Sequence, residues 1–196
     1  MTSERKVSRL PADYFEAVYE DGLDPWGFQS RWYEERKRAI TLASLPHARY
    51  RRAFEPGCAI GLLTCALADR CDEVVAWDIH PAAVAECRRR CADVTNVRLA
   101  ASAVPDRWPD GVFDLVLLSE VAYYLDVGGL GALISDVRGS LVVGGVVVAV
   151  HWLGATDYPL SGAETHRLLS ADLGLRNVVR HSDAEFVLDV WERDRS

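Results

Sequence analysis

The chain has 196 residues, 49% hydrophobic and 26% charged, with 29 acids against 22 bases for a net charge of −7. That length suits one domain with a packed core, and the acidic balance excludes a nonspecific binder of nucleic-acid backbones. No apolar run approaches the roughly 20 residues that span a bilayer, and no apolar stretch follows the basic opening MTSERKVSRL, so neither membrane insertion nor a secretory leader is expected. The expected compartment is the cytoplasm.

In chain order, an N-terminal arm (about 10–46) precedes the first strand-like run. It carries Trp26, Trp32 and Tyr33 around the start of a helix for which Ser30 is the candidate N-cap. Glu34, Glu35, Arg36, Lys37 and Arg38 read as a solvated helix face. From there two periodicities alternate. Strand patterns fall at 52–55, 73–77, 97–100, 113–118 and 146–151. Helical patterns fall at 61–69, 81–92, 130–141 and 162–170, and Pro81 suits a first helical turn. Strand-like runs at 175–180 and 185–191, joined by the polar turn 181–183, read as an antiparallel hairpin. The expectation is a single α/β domain over 1–196: a mainly parallel sheet with helices on both faces and a C-terminal antiparallel hairpin.

Five cysteines, at 58, 65, 71, 87 and 91, form neither a CxxC pair nor a zinc spacing. With Val84, Cys87 and Cys91 continue the apolar face of the 81–92 helix. An odd count in a reducing compartment implies free thiols. No His, Cys and carboxylate cluster reaches metal-ligand spacing, so no metal is expected.

The most informative stretch is Glu55-Pro56-Gly57-Cys58-Ala59-Ile60-Gly61, between the first strand and the first core helix. Gly57 permits a tight turn and close approach of a ligand, and Gly61 allows close helix–strand packing. Asp78 ends the second strand, where a carboxylate accepts both ribose hydroxyl hydrogens. Glu55 chooses between ligands: a carboxylate beside the loop repels a pyrophosphate and favours an ammonium or sulfonium. That disfavours a nicotinamide dinucleotide and favours S-adenosylmethionine.

Here the sequence resembles the class I S-adenosylmethionine-dependent methyltransferases, whose first motif reads acid-x-Gly-x-Gly-x-Gly. Ala59 replaces the middle glycine. The resemblance implies a Rossmann-like fold in which Glu55, Gly57, Cys58 and Gly61 cradle the cofactor, Asp78 holds the ribose and Ile79 packs on adenine. Ser102 stands at a position usually acidic, Ala103 offers backbone to the ring, and Ser119 ends the fourth strand beneath the methyl group. Flanking segments are similar to the NodS group of nodulation N-methyltransferases, which act on the free amine of a deacetylated chitooligosaccharide. They are Asp24-Pro25-Trp26, Arg31-Trp32-Tyr33-Glu34, Ser119 to Leu125, His151-Trp152 and Tyr158 to Gly162 with His166.

On this reading the arm is a cofactor lid, with Trp26 and Trp32 stacking and Arg31 pairing with the methionyl carboxylate. An amine must lose its proton before it attacks, so a base near the fourth or fifth strand exit helps. Glu120, Tyr124 and His151 are the candidates. Tyr123 and His166 are candidate substrate contacts. The partner is a small-molecule acceptor, an amine on a sugar-like molecule, with no nucleic acid or membrane involved. Two alternatives stay open: O-methylation of a small acid or hydroxyl, and a non-catalytic module that binds the cofactor.

Overall fold

The computed structural model describes residues 9–20 and 22–194; residues 1–8, on which the reading about a leader rests, lie outside the described residues. The arm holds helices α1 (Ala12–Tyr19) and α2 (Trp32–Ala43). The core then alternates: β1 (Tyr50–Pro56), α3 (Leu62–Ala68), β2 (Cys71–Asp78), α4 (Pro81–Arg90), β3 (Val97–Ala101) and β4 (Phe113–Ser119). A 3-10 turn (Ala122–Tyr124) leads into α5 (Val127–Ser140), β5 (Leu141–Trp152), α6 (Gly162–Asp172), β6 (Arg176–Ser182) and β7 (Phe186–Glu192).

All seven strands form one sheet in the order β3-β2-β1-β4-β5-β7-β6. Strands β1 to β5 pair in parallel, and β7 runs antiparallel to both β5 and β6. The expected parallel sheet with a reversed terminal strand is therefore present. Alternate residues of each central strand feed two cores. Ala53, Val74, Leu115 and Val148 join Leu63, Leu67 and Cys87 from α3 and α4 on one face. Phe54, Val75, Val116 and Val147 join Leu130, Leu133 and Leu169 from α5 and α6 on the other. Burial on both faces is why these strands read as continuous apolar runs.

The helix starts follow local chemistry. Pro81 occupies the first turn of α4. Asp126 accepts the N–H of Gly129 at 2.7 Å to cap α5. Ser161 accepts that of Glu164 at 3.2 Å to cap α6, half of a capping box. Ser30 does not cap α2; the N-cap position is Arg31, which makes no side-chain cap bond. Strand β5 begins earlier than its apolar run, because its pairing with β4 passes through a bulge between Phe113 and Leu115.

The expectation of free thiols needs correction. Cys65 on α3 and Cys91 at the end of α4 are joined by a disulfide, while Cys58, Cys71 and Cys87 are free and buried. The two helices pack side by side over the same sheet face, which brings together two thiols that spacing did not pair. Among the described residues no helix is long and apolar enough to cross a membrane. No group of three or more His, Cys, Asp or Glu among them is arranged to hold a metal.

Candidate active site

The strand ends that carry Glu55, Asp78 and Ser119 open on one cavity of about 430 Å³, roofed by the arm. The register puts Glu55 opposite Ala76 and Pro56 opposite Trp77, so the glycine loop and the end of β2 leave the sheet together. Gly57 and Gly61 have φ of +74° and +83°, and Ala59 also takes a positive φ, +45°. A Cβ on Gly61 would lie 2.5 Å from Cys87 Sγ, so this glycine admits α4 rather than a strand, as expected from its motif in all but the partner. The loop is tied to β2 twice. Cys58 donates its N–H to Trp77 O at 2.9 Å, and Ala59 donates its own to Asp78 Oδ2 at 2.9 Å.

Asp78 is buried, which raises its carboxyl above the usual range, and its other oxygen accepts the His80 N–H at 2.9 Å. Each oxygen keeps acceptor capacity for a further donor. Glu55 is fully buried and accepts the Thr64 hydroxyl at 2.7 Å; burial pushes its carboxyl up to about 8, against a smaller lowering by Thr64. With only protein around it, Glu55 holds its proton at neutral pH, and its preference for a cation is expressed as it ionises. Ser102 Oγ is buried beside the cavity without a hydrogen-bond partner.

These features fit S-adenosylmethionine. A loop close enough to admit a ligand, a carboxylate with spare acceptors at the end of β2, an orphan hydroxyl just after β3 and a buried acid at the end of β1 lie along one cavity. Trp26, Arg31, Glu55, Gly57, Cys58, Gly61, Asp78, Ile79, Ser102, Ala103 and Ser119 all line it. Trp32 does not; it is 70% exposed, because the first turn of α2 turns it away from the sheet. Tyr19 and Phe28 line the same wall as Trp26 and pack around it, Tyr19 edge-on at 5.4 Å.

The other end of the cavity is aromatic and charged. Glu120 and Tyr124, two of the candidate catalytic groups, line it together with Tyr123. Tyr123, Tyr124 and Tyr158 pack with centroids 4.7–5.0 Å apart, and Phe15 of α1 meets Tyr124 edge-on at 5.0 Å. Burial, with Tyr158 close by, pushes the Tyr124 phenol well above its ordinary range, so at neutral pH its hydroxyl stays protonated. Glu120 Oε1 accepts Lys37 Nζ at 2.6 Å and the Tyr33 hydroxyl at 3.4 Å, and Oε2 accepts the Trp152 N–H at 3.0 Å. Lys37 also donates to Glu34 at 3.0 Å.

Glu34 and Lys37 are therefore not on a solvated face; they are 5% and 3% exposed. The spacing of three that puts them on one side of α2 was visible, but nothing local said that this side faces Glu120. His151 and His166 are also misplaced by the sequence reading. Neither lines the cavity: His151 points to the α5/α6 face of β5 and is covered by α6, and His166 sits on the buried side of α6 facing it. There they meet Asp189, an acid inside the apolar run of β7 whose position was the missed signal.

Sheet order, reversed last strand and a glycine loop facing Asp78 together define a Rossmann-like class I methyltransferase fold. The sequence model of the Nodulation protein S (NodS) family matches residues 18–143, the larger part of the chain. The chain belongs to that family. It is 31% identical to nodulation protein S of Rhizobium tropici over 127 residues, 64% of this chain and 53% of that protein. It thus spans about half the length of the curated relatives it matches. A putative methyltransferase from Pseudomonas syringae is 43% identical, with a TM-score of 0.75 over 83% of this chain and 100% of that one. The N-methyltransferase NodS from Bradyrhizobium japonicum WM9, solved with S-adenosyl-L-homocysteine, shares the fold. Its TM-score is 0.77 at 22% identity, over 92% of this chain and 96% of that one.

Proposed function

We propose that this chain transfers a methyl group from S-adenosylmethionine to the amine of a small, sugar-like acceptor. The observation that carries the acceptor reading is the Glu34–Lys37–Glu120 group under an aromatic wall: two carboxylates share one ammonium at the exit of β4. The excess acid draws a cationic amine, and the faces of Tyr123, Tyr124 and Tyr158 suit the apolar side of a sugar ring. Membership in the NodS family supports nitrogen as the methylated atom.

Bound along the loop, the cofactor supplies a methyl group activated on a sulfonium. Asp78 would hold the ribose, Glu55 the ammonium, Arg31 the carboxylate, and Ile79 with Ser102 and Ala103 the adenine. Glu120, fixed by Lys37 and the Trp152 N–H, would accept a hydrogen bond from the acceptor ammonium and take the proton that the nitrogen gives up to free its lone pair. The neutral Tyr124 hydroxyl orients the nitrogen lone pair. The arm serves as a lid. Leu10 N–H donates to Tyr124 O at 3.0 Å and Phe15 packs on Tyr124, closing the acceptor end against water.

Calorimetry with S-adenosylhomocysteine tests the cofactor site, and mass spectrometry of products from glucosamine and from a panel of small acids and hydroxyl compounds tests the acceptor. The expected result is tight cofactor binding and N-methylated glucosamine, formed at a rate that rises with pH as the amine deprotonates. Methyl esters or ethers as the sole products would overturn the amine reading. Cofactor binding without turnover on the whole panel would replace the enzyme by a binding module.

A further inference from the structure

On the α5/α6 side of the sheet a line of polar groups crosses an otherwise apolar interior. Ala122 donates its N–H to His151 Nε2 at 3.2 Å. His151 Nδ1 lies 3.0 Å from His166 Nε2, and His166 Nδ1 lies 2.7 Å from Asp189 Oδ2. All three side chains are buried. Asn177 Nδ2 donates to the other oxygen of Asp189 at 2.9 Å, and Arg180 Nη1 lies 3.7 Å from that same oxygen.

The ends of this line dictate its protons. A backbone N–H only donates, so His151 Nε2 must be bare and the ring's proton sits on Nδ1. That proton is donated to His166 Nε2, which must then be bare too. The His166 proton therefore sits on Nδ1 and is donated to Asp189, an acceptor. A carboxylate at one end and an amide at the other leave a single polarity, with both imidazoles neutral.

The line ends at the acceptor wall. Ala122 opens the 3-10 turn that holds Tyr123 and Tyr124, and the His151 ring packs on Tyr123 at 4.9 Å. The residue that leads into the turn, Glu120, has a φ of +52°, a conformation a side chain holds only when its surroundings impose it. The turn is thus held from behind by His151.

We propose that Asp189, His166 and His151 form a positioning relay that fixes the Ala122–Tyr124 turn and through it the aromatic wall of the acceptor site. None of the three touches reacting atoms. The relay stands on its own geometry; only the statement that the wall serves an amine acceptor rests on the methyltransferase reading.

The variant Asp189→Asn tests it. Asn keeps the shape but can turn its NH2 toward His166, which reverses every proton in the line and sets an Nε2–H of His151 against the Ala122 N–H. In the unaltered protein, long-range proton–nitrogen NMR spectra should show His151 and His166 both neutral and protonated on Nδ1. In Asp189→Asn the two rings should move to the Nε2–H form and amide exchange at Ala122, Tyr123 and Tyr124 should quicken about tenfold. Affinity for S-adenosylhomocysteine should stay within about twofold. With glucosamine as acceptor, its KM should rise about tenfold while the KM of the methyl donor holds.

An Nε2–H or doubly protonated ring in the unaltered protein at neutral pH overturns the relay, whether or not the variant folds. So does a variant whose turn exchanges and whose acceptor KM stands as before. Correct ring spectra in a protein that methylates nothing overturn the methyltransferase reading and leave the relay in place.

Discussion

Asp78 at the end of β2 accepts the backbone N–H of Ala59 at 2.9 Å, so the acid that faces the cavity also pins the middle of the glycine loop. The same carboxylate accepts the N–H of His80, at the N-cap of α4. Loop, strand end and helix start thus meet on one side chain. Replacing Asp78 removes the proposed ribose contact and the tie that shapes the loop in the same step. Asp78→Ala should weaken S-adenosylhomocysteine binding about 100-fold by calorimetry, the scale of losing charge-assisted hydrogen bonds together with loop order.

Glu55 gives a pH signature. Its folded pKa, about 8, lies above the ordinary glutamate value, so the folded chain binds this proton more tightly than the unfolded one. The stability it contributes is complete below the ordinary glutamate range and is lost as pH rises through about 8. Chemical denaturation of the ligand-free protein should show that decline, and Glu55→Gln should flatten it. A cationic ligand reverses the preference. Binding S-adenosylhomocysteine near pH 7 should release a proton, read by calorimetry in buffers of different ionisation enthalpy, and Glu55→Gln should abolish the release.

Lys37 compensates two acids in the interior. Lys37→Met strips the cation from Glu34 and Glu120 and should destabilise the fold by about 3–5 kcal/mol in urea melts. Adding Glu120→Gln should recover part of that loss, because the charge left bare is then gone. Glu120→Gln alone should keep cofactor affinity within about threefold and lower kcat/KM for an amine acceptor by about tenfold or more.

Ala59 occupies a left-handed conformation that costs an alanine about 1–2 kcal/mol and a glycine little. The larger entropy of an unfolded glycine offsets part of this. Ala59→Gly should therefore raise the melting temperature by a few degrees, equivalent to about 0.5–1 kcal/mol, and leave S-adenosylhomocysteine affinity unchanged or better.

The bridge between Cys65 and Cys91 closes a loop across 26 positions of sequence. Chain-entropy arguments put the value of such a closure at about 2–4 kcal/mol. Cys65→Ser should lose about that much in non-reducing buffer, and dithiothreitol should bring the unaltered protein down to the same stability.

Much of this architecture is written in near-neighbour pattern. Apolar runs of four to six residues marked the buried strands, Pro81 marked a helix start, and the acid-glycine loop followed by Asp78 marked the cavity, because each lies within one strand–turn–helix unit whose geometry is local. Neighbouring strands in parallel register then carry Glu55 and Asp78 to the same edge without further information. The errors share a cause. Whether Lys37 faces water or Glu120 depends on where α2 lands on the sheet, across 83 residues of sequence. Whether His151 enters the cavity depends on a pleat one residue out of step with the site face.

The sequence by itself determined the alternation of elements, the reversed hairpin and the chemistry of the cofactor loop, since these follow from periodicity and from what a glycine turn and an adjacent carboxylate can do. Tertiary structure alone decided which ionisable groups are paired. Lys37 with Glu34 and Glu120, His151 with His166 and Asp189, and Cys65 with Cys91 become partners only when packing removes them from water, because inside the fold a charge, a ring nitrogen or a thiol answers to whatever the opposing element presents.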